Sequence, residues 1–320
     1  MEWVNRSKLT TNTPIWLTIL VIGLVSARAS IWACERLPSQ TVEAVAWQQP
    51  TQMDLGHGYQ SKLVLYYFTA VGNESCQRLN QTSLLNRDVV NLINEEFLPV
   101  KISNEELREG AESSKLIKDL QQKYSIYNFP VLVVTLPNGR EIETASAYFG
   151  IGAKSLLQFL QRCQKREAYS RGVDYLAHAK YNEAVRAFEA WLGSGTNSKL
   201  ESMDGALYCA LSYRMLGDDR GADNILETTM KGVNRWKEKI WPEPLAEFVL
   251  GKIDGDTLLK ECDKRSFREP RVYYFIGMLE LRKGNTQGAL DNFRLAEKDN
   301  YTSSEIYNLV DGQLNILNNH

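Results

Sequence analysis

The chain has 320 residues, of which 43% are hydrophobic and 24% charged, a balance that supplies ample core and excludes an intrinsically disordered protein. Its length suits about two domains. The formal net charge of −2, with no basic block, excludes a nucleic-acid-binding surface built on phosphate contacts.

Arg6 and Lys8 precede an apolar run from Ile15 to Val25, which Ala27-Arg28-Ala29 follows. A basic start, an apolar centre and a small-x-small site make residues 1–29 a secretory signal, cleaved after Ala29. Arg28 interrupts the run before it reaches the roughly 20 residues that a spanning helix needs. Two alternatives stay open: an uncleaved membrane anchor read through to Trp32 and Ala33, or lipid attachment at Cys34. The expected location is therefore outside the cytoplasm, in the periplasm or a lumen, either free or anchored through the N-terminal segment.

Residues 30–53 are polar and Gln-rich and form a linker. From residue 54 the pattern alternates as strand 62–70, helix 76–96, strand 98–103, helix 112–125, strand 129–135, strand 140–148 and helix 153–165. The β-branched and aromatic run Lys62 to Ala70 is the clearest strand. Pro137-Asn138-Gly139 between two strand-like runs signals a hairpin. Phe129-Pro130 opens a strand, a position at which proline is tolerated.

The segment between the first strand and the first helix carries the chemistry. Asn73 is suited to cap the helix, Glu74 complements the helix dipole, Ser75 continues the first turn, and Cys76 follows. Dithiol exchange requires an accessible low-pKa thiolate and a second cysteine to resolve the mixed disulfide. In Asn73-Glu74-Ser75-Cys76 the first of these positions is an amide. Of the five cysteines, Cys163, Cys209 and Cys262 fall on apolar helical stripes and are expected to be buried; only Cys34 and Cys76 occupy places where exposure can occur, and Cys76 is expected to be a partly buried thiol under the capped helix that alkylates slowly. Leu79 and Phe68 are the expected apolar neighbours of Cys76. The histidines His57, His178 and His320 have no partners at metal spacing, so no metal or other cofactor is expected. The triplets beginning at Asn73 and Asn80 match a glycosylation acceptor but fall in the helix region.

Beyond residue 165 the strand signals stop and a repeat begins. Gly172, Tyr175, Ala184 and Phe188 stand at offsets 0, 3, 12 and 16, matched by Ala210, Tyr213, Ala222 and Leu226 and by Gly277, Glu280, Ala289 and Phe293. Turn glycines Gly217 and Gly284 occupy equivalent places. A less regular helical pair lies between Trp236 and Cys262, and residues 303–317 read as a capping helix.

Over about 110 residues the βαβ unit, hairpin and closing helix, with Asn73-x-x-Cys76 and Pro130, resemble the thioredoxin-like family with its first active-site cysteine replaced. The small-Tyr-Ala-Phe offsets resemble the tetratricopeptide repeat (TPR), whose period is about 34 residues. Together they imply a thioredoxin-like α/β domain at 54–165 followed by an all-α TPR solenoid at 166–320. The thioredoxin resemblance implies that Pro130 is cis and faces the Asn73 turn. The repeat resemblance implies a concave surface formed by the first helices, with Tyr169, Val173, Arg214, Arg271, Tyr274 and Arg282 turned away from the hairpin cores to bind other proteins or peptide segments. The function expected is an exported protein-binding adaptor or assembly factor. The alternative is a divergent thiol–disulfide oxidoreductase or isomerase working through Cys76 with Cys34 or a substrate thiol.

Overall fold

The computed structural model of the chain describes residues 44–50, 62–107, 111–146, 152–195, 197–233, 241–262, 269–298 and 305–319. The leader expected at residues 1–29, Cys34, His57 and His320 lie outside them. No helix among the described residues is long and apolar enough to cross a membrane.

The first part is a four-stranded sheet in the order β2-β1-β3-β4, made of β1 (Leu63–Thr69), β2 (Phe97–Ser103), β3 (Val131–Thr135) and β4 (Glu141–Ser146). β1 runs parallel to β2 and antiparallel to β3, so that Val64 faces Thr135 and Phe68 faces Val131. Every residue of β1 is buried, because both faces of the sheet are covered. Leu63, Leu65 and Tyr67 pack on one face with Leu79, Val89, Ile93, Leu156 and Phe159. Val64, Tyr66 and Phe68 pack on the other with Ile117 and Tyr124. The hairpin forms where Asn138-Gly139 predicts it, with Gly139 at φ 79° and its carbonyl accepting from the Tyr124 hydroxyl at 2.9 Å.

Two local expectations are corrected. The single helix expected over 76–96 is α1 (Glu74–Gln81), a 3₁₀ turn at Ser83–Leu85, and α2 (Arg87–Glu96). The break arises because Asn86 starts a new helix, its side chain accepting from the backbone N–H groups of Asp88 at 3.1 Å and Val89 at 3.3 Å. Within the expected linker, residues 44–50 attach to the free side of β2: Gln48 N–H donates to the Pro99 carbonyl at 2.8 Å, and Val45 is buried.

After α3 (Ala111–Lys123) and the hairpin, α4 (Ala153–Ala177) crosses residue 165 without interruption. Its first half puts Leu156, Phe159, Leu160 and Cys163 on the sheet, and its second half puts Tyr169, Val173 and Leu176 into a separate helical core. The helical region continues through α5 (Tyr181–Gly193), α6 (Lys199–Met215), α7 (Asp219–Val233), α8 (Glu243–Val249), α9 (Gly255–Glu261), α10 (Glu269–Arg282), α11 (Thr286–Glu297) and α12 (Glu305–Asn318).

The offsets seen in the sequence have a packing cause. A Cβ built on Gly172 would lie 2.7 Å from the Phe188 ring, and one on Gly277 would lie 2.6 Å from the Phe293 ring. The small residue of each first helix thus lets the large residue of the second helix seat against its backbone, and Ala184, Ala222 and Ala289 are fully buried between them. Each first helix also ends in a left-handed residue seven positions on: Ala179 (φ 55°), Gly217 (φ 80°) and Gly284 (φ 81°). Alanine in that conformation costs about 1 kcal/mol that glycine does not. Ala179→Gly is therefore expected to raise the urea midpoint of the full chain, by an amount equivalent to about 0.5–1 kcal/mol. A lowered midpoint would contradict the assignment of strain to this turn.

The final helix does more than cap. α12 packs on α11 and also on α4, where Gln313 Nε2 donates to the Leu176 carbonyl at 3.0 Å and the Ala177 carbonyl at 3.3 Å. Gly312 sits over that carbonyl so closely that an added Cβ would fall within 2.3 Å of it.

Candidate functional site

β1 delivers the chain into Ala70-Val71-Gly72, and Gly72 (φ 78°) turns it into Asn73. The Asn73 side chain performs two functions. Its oxygen accepts from the Cys76 backbone N–H at 3.0 Å, capping α1, and its nitrogen donates to the Phe129 carbonyl at 3.4 Å. The second bond ties the turn to the Phe129-Pro130 segment, whose peptide bond is cis. Asn73, Cys76 and Pro130 are thus brought together, as the sequence implies. Glu74 is exposed and Ser75 half-buried at the start of α1.

Cys76 itself is only 1% exposed, in line with the expectation of a shielded thiol under the capped helix. Ala70 N–H lies 3.4 Å from its Sγ. Its neighbour on β1 is Tyr67 rather than Phe68, since Phe68 belongs to the opposite face of the sheet. The Tyr67 hydroxyl donates to Asn80 Oδ1 at 3.0 Å, and burial, assisted by Cys76, pushes its pKa up to about 12. Cys163, Cys209 and Cys262, the other cysteines among the described residues, are buried thiols, and burial pushes the first two up to about 12. In the folded protein Cys76 is expected to react with iodoacetamide roughly a hundredfold more slowly than in urea, because modification requires local opening. Peptide mass spectrometry measures both rates, and labelling at the unfolded rate would refute burial.

Two large apolar side chains are exposed near this turn, among polar neighbours that include Glu74 and Asn128. Val71 is 62% exposed and Tyr127 is 89% exposed, one on each segment that the Asn73–Phe129 hydrogen bond joins. Neither lies on a periodic stripe, so pattern reading passes over them. Their one sequence signal is position, beside Asn73 and two residues before Phe129-Pro130.

The six residues expected on an open repeat surface are placed otherwise. Tyr169, Val173 and Tyr274 are buried, because α4, α6 and α10 pack their facing sides together and α12 closes against α4. Tyr169 donates to Glu305 of α12 at 3.0 Å. Arg271 pairs with Asp204 at 2.8 Å and lies over the Tyr208 ring, 5.2 Å from its centroid. Arg214 is buried and bonds Asp219 at 2.7 Å, Asp223, and the Val249 carbonyl at 3.1 Å. Arg282 is partly exposed and shares Asp219 at 2.6 Å. Tyr169, Arg214 and Arg271 find partners on other helices, whereas the Tyr274 hydroxyl and Arg271 Nε are buried with no hydrogen-bond partner among the described residues; the expectation of exposure fails for all but Arg282. Among the described residues no group of three or more His, Cys, Asp or Glu gathers to hold a metal ion.

Residues 51–161 match the family model of a thioredoxin-like domain. Among solved structures the chain is similar to one titled DsbH Oxidoreductase, at 16% identity and a TM-score of 0.35, over 38% of this chain and 86% of that one. No curated protein matches the chain. Its α/β part is a thioredoxin-like domain, and a helical region follows it.

Proposed function

We propose that this is an exported adaptor or assembly factor that holds other polypeptides, with a TPR array as its second domain. The observation that carries the reading is the contrast at one turn. The thiol is buried beneath an Asn cap, while Val71 and Tyr127 stand exposed around it. Thiol exchange needs the reverse, an accessible sulfur, whereas exposed Tyr beside a rigid turn is a common anchor for a bound chain. The repeat offsets, the small-on-large packing of Gly172 with Phe188 and Gly277 with Phe293, and the matched left-handed turns support the TPR assignment. The order of charge and apolar residues at 1–29 supports export.

The test is capture of partners by the mature chain and by a Val71→Ser, Tyr127→Ser variant. Both residues are exposed, so the variant is expected to keep its circular dichroism and urea midpoint while capture falls about tenfold or more. Undiminished capture would remove the turn face from the account.

The second reading, a thiol–disulfide oxidoreductase or isomerase acting through Cys76, is favoured by the match of residues 51–161 to the thioredoxin-like family.

A further inference from the structure

A polar cleft of about 690 Å³ lies between the end of α3, the tip of the β3–β4 hairpin, the C-terminal end of α4 and one side of α12. Because β1 and β3 are antiparallel, this hairpin tip and the Asn73 turn stand at opposite ends of the sheet. The cleft is thus a separate place on the molecule. A smaller cavity of about 170 Å³ adjoins it, and Arg140, Glu141 and Asn308 line both.

Charge in the cleft is unevenly satisfied. Arg140 has a side chain only 11% exposed, yet the nearest carboxylate paired with it, Asp174, is 3.8 Å away. Asp174 also faces His178 at 3.8 Å. Burial lowers the pKa of Arg140, with Glu305 and Asp174 opposing that effect. The Arg140 guanidinium, ion-paired only at that distance, keeps donors for a ligand in the cleft, which Glu141 and Asp311 also line. Lys123, on the same wall, is exposed, has its ammonium 5.2 Å from the Tyr124 ring centroid, and has no carboxylate paired with it among the described residues. Both bases belong to the thioredoxin-like domain.

The facing wall is α12. Asn308, Asp311, Asn315 and Asn319 recur at three- and four-residue spacing, which puts them on one side of the helix facing the cleft. Asn315 and Asn319 donate within α12, to Asp311 at 3.0 Å and to the Asn315 carbonyl at 2.7 Å. The Asn308 amide is exposed and has no hydrogen-bond partner among the described residues. A primary amide offers both a donor and an acceptor, the complement of a peptide group, and a guanidinium offers the fork that matches a carboxylate.

We propose that this cleft binds an extended, hydrophilic polypeptide segment bearing a carboxylate, with Arg140 and Lys123 receiving the carboxylate and Asn308 and Asn315 pairing with backbone amides. The inference rests on the polypeptide-holding reading and gives it a second contact on the other side of the domain.

The test is an amide NMR titration of the mature full-length protein with three N-acetylated pentapeptides. These are Gly-Ser-Gly-Ser-Gly with a free C-terminus, Gly-Ser-Asp-Ser-Gly amide and Gly-Ser-Asn-Ser-Gly amide. At least one acidic peptide is expected to shift the signals of Gly139, His178 and Asn308 and to bind about tenfold more tightly than the neutral one. Which acidic peptide does so distinguishes a chain-terminal carboxylate from a side-chain one. Arg140→Gln and Asn308→Ala are each expected to weaken binding several-fold. Asn308 is exposed and has no partner among the described residues, so its variant separates recognition from folding. Equal affinity for all three peptides, or native affinity in Asn308→Ala, would overturn the proposal. Shifts confined to Val71 and Tyr127 would overturn the cleft while leaving the adaptor reading intact. The absence of any shift at millimolar peptide would also overturn the cleft, and the adaptor reading would then be decided by the capture experiment.

Discussion

Gly172→Val is expected to destabilise the helical region by about 3 kcal/mol, read as a large fall in the urea midpoint followed by far-ultraviolet circular dichroism. The cause is local. A Cβ alone at this position meets three atoms of the Phe188 ring at 2.7, 2.8 and 2.9 Å, and Phe188 is fully buried. Valine adds two further methyl groups to that contact, and its gain in helix propensity over glycine is only about half a kilocalorie per mole. A compensating change should recover part of the loss. Gly172→Ala combined with Phe188→Leu is expected to be less destabilising than the sum of the two single changes, because each relieves the other's misfit. A Gly172→Val midpoint equal to the native one would mean that α4 and α5 do not meet as described.

Removing Arg271 should have a comparable effect by an electrostatic route. Its side chain is 13% exposed, pairs with Asp204 at 2.8 Å and lies over the Tyr208 ring. Breaking a buried pair by deleting one partner costs about 3–5 kcal/mol. Asp204 is 35% exposed and can rehydrate in part, which places Arg271→Met near the lower end, at about 3 kcal/mol. A double-mutant cycle with Asp204→Asn in urea separates the ion pair from the packing, and a coupling near zero would show that Arg271 contributes through packing alone.

These two residues mark what the sequence reveals and what it hides. Gly172 was legible as a repeat position because small-on-large packing recurs at fixed offsets in Gly277 and Phe293. The sheet was legible for similar reasons: β1 is an unbroken β-favouring run, Asn138-Gly139 is a strong turn signal, and Asn73 is a good capping residue at the expected helix start. The break at Asn86 was not legible, because the apolar period continues across it and only the capping hydrogen bonds disclose a new helix. Arg271, Tyr169 and Tyr274 read as surface residues because each is polar. Their burial depends on partners far away in sequence, Asp204 for Arg271 and Glu305 for Tyr169, and on α12 packing against α4. Nothing local in the chain encodes that closure. The same limitation hid Val71 and Tyr127, whose exposure is set by how two loops meet at the Asn73–Phe129 hydrogen bond. It also assigned Phe68 in place of Tyr67 as the neighbour of Cys76, since alternation along β1 gives two faces but does not say which one α1 covers.

The proposed role of the Asn73 turn is that of a polypeptide-holding surface with a buried thiol beneath it, in place of disulfide exchange. Insulin reduction in the presence of dithiothreitol, measured for the mature protein beside its Cys76→Ser variant, tests this most directly. The account predicts that both give only the rate of dithiothreitol alone. Turnover above that rate by the native protein, lost in Cys76→Ser, would contradict it.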